Sequence, residues 1–407
     1  MERPTTNPEA REKLREKGQF MTPEWVADAM AEFVLGASPD VVFEPGVGAG
    51  AFFLALKRRS KSRKNSVRMA GIELDPEILQ VAKKMGLDDN DLRDVMIGDF
   101  MTMDADTTFP GVIANPPYIR HHRLSKEYKE MLNNTALTIT GVNIDKRAGI
   151  HIFFLIKSLS MLSKGGRLSF IVPSDIVEGT FAASLWEWIG GNFRIDSAIV
   201  FDGDATPFPG VDTNPIILNL INDRPAKTLH WVRCKQASTN QLTDATSSDF
   251  DGDWSDLDIC TRDLGEALKT GLSRPEPNIG EYVEFKQFAS VMRGIATGAN
   301  DFFLMTGEQV KLSQIPEMHF KRCVCRTRDV TVDTVTDELL DELDEKGRPT
   351  YLLSLDSRPI EEFGHSVQEY LAQGVEMGLP ERPLLSSRPE WYAMEKRDPV
   401  PTFLFAY

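Results

Sequence analysis

The sequence predicts an α/β protein: a doubly wound, mostly parallel seven-stranded sheet followed by a mixed, β-rich domain. Three observations predict it. Short apolar runs alternate with segments of helical spacing from residue 41 to about residue 190, the pattern of parallel strands with helices on both faces. The first three runs end at acids, Glu44-Pro45, Glu73 and Asp99, and the fourth runs into Asn115-Pro116-Pro117-Tyr118. In open sheets of this kind ligands bind at the carboxyl ends of the strands. Near Asp223-Arg224-Pro225 the chain changes character, with fewer clean helices and more short strands and turns. A chain of 407 residues suits two domains at ~100–200 residues each, with the boundary expected at 225: residues 1–225 and 226–407.

Taken in order, Gly18-Gln19-Phe20-Met21-Thr22-Pro23 reads as a turn, with Thr22 as N-cap and Pro23 at the first helical position. Trp25, Val26, Ala29, Met30, Phe33 and Val34 then recur at helical spacing as far as Leu35. Val41-Val42-Phe43 is a buried strand, and a helix from Ala51 to Arg58 follows a Gly-rich loop. Strands are expected at Arg68–Ile72, Val95–Ile97, Gly111–Ala114 and Arg167–Val172, with an apolar helix at His151–Leu162. Residues 119–149 form a long connection of mixed polarity, a length typical of lids and binding loops. Arg194–Phe201 and Asn214–Ile221 are strands joined without a helix, so an antiparallel hairpin at one sheet edge is expected.

Composition narrows the class. The net charge of −15 argues against unspecific nucleic-acid binding over the whole surface. No apolar run approaches the ~18 residues of a membrane span, and the charged start has no signal-peptide core, so a cytoplasmic protein is expected. Cys234, Cys260, Cys323 and Cys325 match neither a disulfide framework nor a zinc site; reduced thiols and no metal are expected. Of two basic runs, Lys57–Lys64 reads as a solvated surface. The other, Ile119-Arg120-His121-His122-Arg123, follows the Pro-Pro loop and is a candidate for phosphate contact through Arg120 and Arg123.

The chemistry-bearing motifs lie at the strand ends. Glu44-Pro45-Gly46-x-Gly48-x-Gly50 lets a ligand approach the backbone, and its acid suits an ammonium or sulfonium rather than a pyrophosphate. Glu73 can accept both hydroxyls of a ribose. Asp99 can accept from an adenine amine, with Phe100 flanking the ring. Together these describe S-adenosylmethionine. Two prolines stiffen the fourth loop. There the Asn115 side-chain oxygen and the Pro116 carbonyl can each take one hydrogen of a planar –NH2, drawing its nitrogen toward a tetrahedral, nucleophilic state. Tyr118 offers a stacking face.

This ordered set resembles the gamma class of adenine-N6 DNA methyltransferases of restriction–modification systems, which have the Rossmann-like class I methyltransferase fold. The resemblance implies S-adenosylmethionine as cofactor, double-stranded DNA as substrate and a base flipped out of the duplex. It places Thr22 near the methionine moiety, Phe154 against the cofactor adenine and Phe208, in an exposed Pro-Gly loop, beside the flipped base. It makes the second half a target-recognition region, supported by Val291–Phe303, Lys321–Asp329 and Arg388–Tyr392, with Arg293, Lys321, Arg322, Arg326 and Arg328 for phosphate or base edges. That region normally continues past Tyr407, so a shortened recognition domain is expected. A cognate restriction endonuclease and a monomeric enzyme are further expectations. Two other readings remain open: a methyltransferase for another planar –NH2, protein glutamine N5 or RNA guanine N2, and an inactive DNA-recognition subunit.

Overall fold

The computed structural model describes residues 21–63, 66–119, 121–145, 147–178, 183–209, 214–274, 287–330, 332–397 and 403. Gly18, Gln19, Phe20, Arg120 and the Gly210–Thr213 part of the Phe208 loop lie outside them, as does the Pro401–Tyr407 end apart from Phe403. The chain divides into two units, Met1–Gly280 and Glu281–Tyr407, so the boundary falls later than the expected 225.

The first unit opens with α1 (Glu24–Leu35), whose apolar stripe is buried along its whole length. β1 (Val41–Pro45), α2 (Ala51–Ser62), β2 (Arg68–Glu73), α3 (Ile78–Lys84), β3 (Val95–Ile97) and β4 (Phe109–Ala114) follow as alternating strands and helices. The long connection after β4 contains a helix that its sparse apolar spacing conceals: α4 (Lys126–Thr140), capped by the Ser125 hydroxyl and ended by left-handed Gly141. Next come α5 (Ile150–Ser160), β5 (Leu162–Pro173), the short α6 (Asp175–Glu178) and α7 (Ala183–Asn192). β6 (Arg194–Phe201), β7 (Pro215–Ile221), β8 (Thr228–Cys234), α8 (Gln241–Ser247), β9 (Leu257–Asp263) and α9 (Leu264–Thr270) complete the unit.

The sheet has nine strands, not seven, in the order β3-β2-β1-β4-β5-β7-β6-β8-β9. β7 runs antiparallel to both β5 and β6, and β8 pairs with β6 in parallel. The β6–β7 hairpin is therefore interior rather than at an edge. The physical reason is legible in β7, where Ile216, Leu218 and Leu220 face one core and Ile217 the other. A strand apolar on both faces belongs inside a sheet. The Asp223-Arg224-Pro225 turn that suggests a domain break instead leads directly into β8. On one face α1, α2 and α8 pack against the sheet, and on the other α4, α5, α7 and α9. Within the first face the Ser169 hydroxyl bonds the Asn219 amide oxygen at 2.6 Å, and Asn219 Nδ2 donates to Ser197 Oγ at 2.9 Å. This buried polar chain links β5, β7 and β6.

The second unit corrects the β-rich expectation. Its sheet, β10 (Leu304–Met305), β11 (Phe320–Arg322) and β12 (Tyr351–Leu353), is small, in the order β10-β12-β11. Among the described residues four α-helices accompany it: α10 (Asn300–Phe303), α11 (Gly307–Ser313), α12 (Asp337–Glu345) and α13 (His365–Glu376). Its core joins two of the stretches singled out in sequence. Phe302 stacks on Tyr370 at 4.5 Å and meets Trp391 at 5.8 Å. Arg388 donates to the carbonyls of Ala296 and Thr297 at 2.7 and 3.0 Å.

Candidate active site

The strand order sets the site. β3, β2, β1 and β4 are consecutive parallel neighbours. Their carboxyl ends therefore bring Asp99, Glu73, Glu44 and Asn115 to one edge of the sheet.

Glu44 is 2 % exposed, and its Oε2 has no hydrogen-bond partner. Burial, with the neighbouring Glu73 carboxylate adding to it, pushes its carboxyl well above the usual range. Glu73 is the opposite case: its Oε2 accepts from the Gly48 N–H at 2.7 Å and its Oε1 from the Asp75 N–H at 2.9 Å. The loop between them bends at Gly46 (φ 100°) and Gly48 (φ 54°), where a β-carbon would meet nothing within 4 Å. Open space over two left-handed glycines, an unpartnered buried acid and a second acid held by backbone donors form a cradle for a cationic, hydroxyl-bearing ligand. The residues fit S-adenosylmethionine on those grounds.

Asp99 caps the 3-10 turn Phe100–Thr102 through its Oδ1, which accepts from Met101 N at 2.8 Å. Its Oδ2 accepts from the Tyr128 hydroxyl of α4 at 2.7 Å. Tyr128 has no signal in the sequence, because a lone tyrosine on a polar helix is unremarkable until the fold places it. Phe100 is buried against Phe154 at 5.0 Å and Phe43 at 6.0 Å. Behind this turn lies Lys157 of α5, 2 % exposed. Its ammonium donates to the carbonyls of Phe100 at 2.7 Å, Met101 at 3.0 Å and Met103. Burial lowers its pKa, against the opposing pull of Asp99 and Asp104. The signal for Lys157 was present: a lone cation on an otherwise apolar helix must find partners.

At the fourth strand end, Asn115 Nδ2 donates to Thr22 Oγ1 at 3.1 Å. Thr22 does not cap α1 as expected. Pro23 takes the N-cap position, and the Pro23 carbonyl accepts from Val26 and Ala27. Pro116 is buried, and Tyr118 is half-buried with its hydroxyl donating to Ile171 O of β5 at 3.1 Å. β5 extends past the last residue of β4, leaving room for that contact. The loop is pinned again where Ile150 N, at the start of α5, donates to Ile119 O at 3.1 Å. The His151 ring stands edge-on to Tyr118 at 6.1 Å. It is 6 % exposed, and neither ring nitrogen has a hydrogen-bond partner. Burial depresses its pKa to about 4, so it is neutral near pH 7.

The structure thus brings Thr22, Glu44, Pro45, Gly46, Gly48, Glu73, Asp99, Phe100, Asn115, Pro116, Tyr118 and Phe154 into one unit around neighbouring strand ends. Phe208 departs from expectation. It is 4 % exposed and packs in the core with the α1 face of the sheet, because it follows β6 closely enough to fold back under α1. It is not the exposed loop aromatic that its Pro-Gly setting suggests.

The basic residues sort differently. Arg58, Arg59 and Arg63 of the first run pair with Asp28 and Glu32 of α1, and Lys57 with Asp91, so that run clamps helices together. Arg123 is exposed. Arg293 pairs with Glu395 at 3.1 Å. Arg322 pairs with Asp341 at 3.0 Å and lies 4.6 Å over the Tyr351 ring, a structural engagement. Lys321 and Arg326 are exposed; Arg328 lies in a 3-10 turn, and its side chain is outside the described residues.

The strand order is that of a doubly wound α/β sheet with the cradle and the Asn-Pro-Pro-Tyr loop at its carboxyl edge. Residues 7–182 match the N-6 DNA Methylase family, and residues 278–407 match the C-terminal domain of the type II methyltransferase M.Eco57I. The type II methyltransferase M.AccI of Acinetobacter calcoaceticus is 24% identical over 403 residues, covering 97% of this chain and 72% of that protein. M.XamI of Xanthomonas campestris pv. amaranthicola is 23% identical over 298 residues, covering 70% of this chain and 53% of that protein. Among solved structures the DrdV–DNA complex aligns with a TM-score of 0.50 and 14% identity over 88% of this chain and 45% of that one, a likeness of fold. The chain is thus similar to N6-adenine DNA methyltransferases over residues 7–182 and to a type II methyltransferase C-terminal domain over residues 278–407.

Proposed function

We propose that this protein transfers a methyl group from S-adenosylmethionine to the N6 amine of adenine in DNA, as the gamma-class modification enzyme of a restriction–modification system. One observation carries the reading: a buried, unpartnered acid, a backbone-held acid, a turn-capping acid and a Pro-locked asparagine end four consecutive strands of one sheet.

Glu44, with Pro45, Gly46 and Gly48, would hold the charged methionine part of the cofactor, and Thr22 closes that side. Glu73 receives the ribose hydroxyls with lone pairs its backbone donors leave free. Asp99 receives the adenine amine, beside the packed pair of Phe100 and Phe154. The bound cofactor supplies a methyl group on a sulfonium, a leaving group already activated. Asn115 Oδ1 and the Pro116 carbonyl accept the two hydrogens of the target amine and hold its lone pair toward the methyl group. Their contribution is position and electrostatics, with no strong base required. The methylated nitrogen, positively charged and acidic, gives its extra proton to solvent water. Tyr118, fixed by its hydroxyl, presents its ring to an adenine flipped out of the duplex. The second unit is the DNA-recognition region, with Lys321 and Arg326 as phosphate contacts and Arg293 available on release from Glu395; Arg123 of the first unit is a further phosphate contact.

The test is incubation with S-adenosylmethionine and mixed-sequence duplex DNA, followed by nucleoside mass spectrometry and mapping of modified sites. N6-methyladenine at a fixed sequence context is expected. More efficient methylation of a protein glutamine or of RNA would replace this reading with its competitor.

A further inference from the structure

Lys157 is a strongly buried charged group near the site that the proposed reaction does not use. Its three N–H bonds go to three carbonyls of one turn, Phe100 O, Met101 O and Met103 O. Its ammonium also lies 5.1 Å from the centroid of the Phe100 ring. Three carbonyl dipoles of like orientation converge on that point. Without a cation between them they repel one another, and the Met101 and Met103 carbonyls lose their lysine donor, while the Phe100 carbonyl keeps its bond from Met103 N at 3.2 Å. The turn they belong to begins at Asp99, whose own side chain caps it through Met101 N. The Asp99 carboxylate is thus held by the turn and by the Tyr128 hydroxyl, and Lys157 from the adjacent helix holds the carbonyls of that turn together.

We propose that Lys157 is a positioning residue for the cofactor: it fixes the Asp99–Met103 turn so that Asp99 and Phe100 grip the adenine base. A buried ammonium is a costly way to fill space, since an apolar side chain of similar volume is frequently as stable. A lysine retained at this point has its use in holding one geometry. This inference rests on the cofactor reading above and assigns the base-discriminating power of that site to a residue that never touches the base.

The experiment measures binding, not turnover. Calorimetry with the full chain compares S-adenosylhomocysteine with S-inosylhomocysteine, in which an oxo group replaces the exocyclic amine. The wild-type protein should prefer the adenine ligand. In Lys157→Met that preference should shrink by about tenfold, the scale of one charge-assisted hydrogen bond. Affinity for the inosine ligand should change little. In an Asp99→Asn background the same substitution should add nothing further. If Lys157→Met does not fold, Lys157→Gln, which keeps a donor for one or two of the carbonyls, should show a smaller loss of the same kind. A variant that loses both ligands equally marks Lys157 as general scaffold and overturns the inference, as does one that keeps the full preference. Absence of any wild-type binding to S-adenosylhomocysteine overturns the cofactor reading itself, an outcome distinct from both.

Discussion

Thr22 Oγ1 and Asn115 Nδ2 are 3.1 Å apart, joining the turn before the first helix to the loop after the fourth strand. The amide nitrogen is thereby engaged by Thr22, and on the proposed reading the amide oxygen is the end that accepts the target amine. On the proposed reading Thr22, besides bordering the methionine part of the cofactor, sets which end of Asn115 faces the target.

Thr22→Val keeps the shape and removes the acceptor. One lost orienting hydrogen bond is worth about 1 kcal/mol, so kcat should fall roughly 5–10-fold with cofactor affinity nearly preserved. Steady-state kinetics on DNA carrying the target site check this. An unchanged kcat would mean the amide is oriented by other contacts.

Glu44 gives a pH dependence with a defined sign. Its carboxyl is held well above the ordinary range in the free protein by burial and by Glu73. A cation bound beside it favours the ionised form, so binding releases a proton. Cofactor affinity should rise by up to about tenfold per pH unit until the free-state pKa is passed, then level. Titration calorimetry in buffers of different ionisation enthalpy reads the proton directly, and Glu44→Gln should abolish its release.

His151 predicts an acid sensitivity of the fold. Its native pKa is depressed to about 4, against 6.5 for an unperturbed histidine. In that window the unfolded chain binds the proton and the native protein does not, so stability is full above pH 6.5 and falls as pH drops toward 4. The share due to this residue is about 3 kcal/mol. His151→Phe should remove that share of the slope in denaturation midpoints measured from pH 7 to 4.5. A slope identical to wild type would show that the ring is protonated or solvated in the native state.

Asn219 sits between Ser169 and Ser197 on three adjacent strands. Asn219→Val strands two buried hydroxyls and should cost about 1–3 kcal/mol in urea unfolding. Replacing all three, with Ser169→Ala and Ser197→Ala added, should recover much of the loss. A triple variant as unstable as the sum of its parts would assign the cost to packing instead.

The readability of this chain follows its physics. Strand-end acids and the Asn-Pro-Pro-Tyr loop were legible because parallel-sheet topology forces their placement and proline forces the turn. β8 and β9 were not, because a Pro-containing turn and a domain linker look alike in sequence. α4 was hidden by having few buried positions, Leu132 and Ala136 among them. Phe208 misled because the flanking Pro and Gly say nothing of which way the side chain folds. Tyr128 and the Thr22–Asn115 bond depend on tertiary approach across 29 and 93 residues, beyond any local pattern.

The most direct test of the central claim is Asn115→Ala, read by nucleoside mass spectrometry of treated DNA alongside calorimetric binding of S-adenosylhomocysteine. The account predicts N6-methyladenine from the wild-type protein, none from the variant, and cofactor-product affinity within a few-fold of wild type. Methylated adenine from the variant at wild-type levels, or a methyl group on cytosine from the wild type, would contradict it.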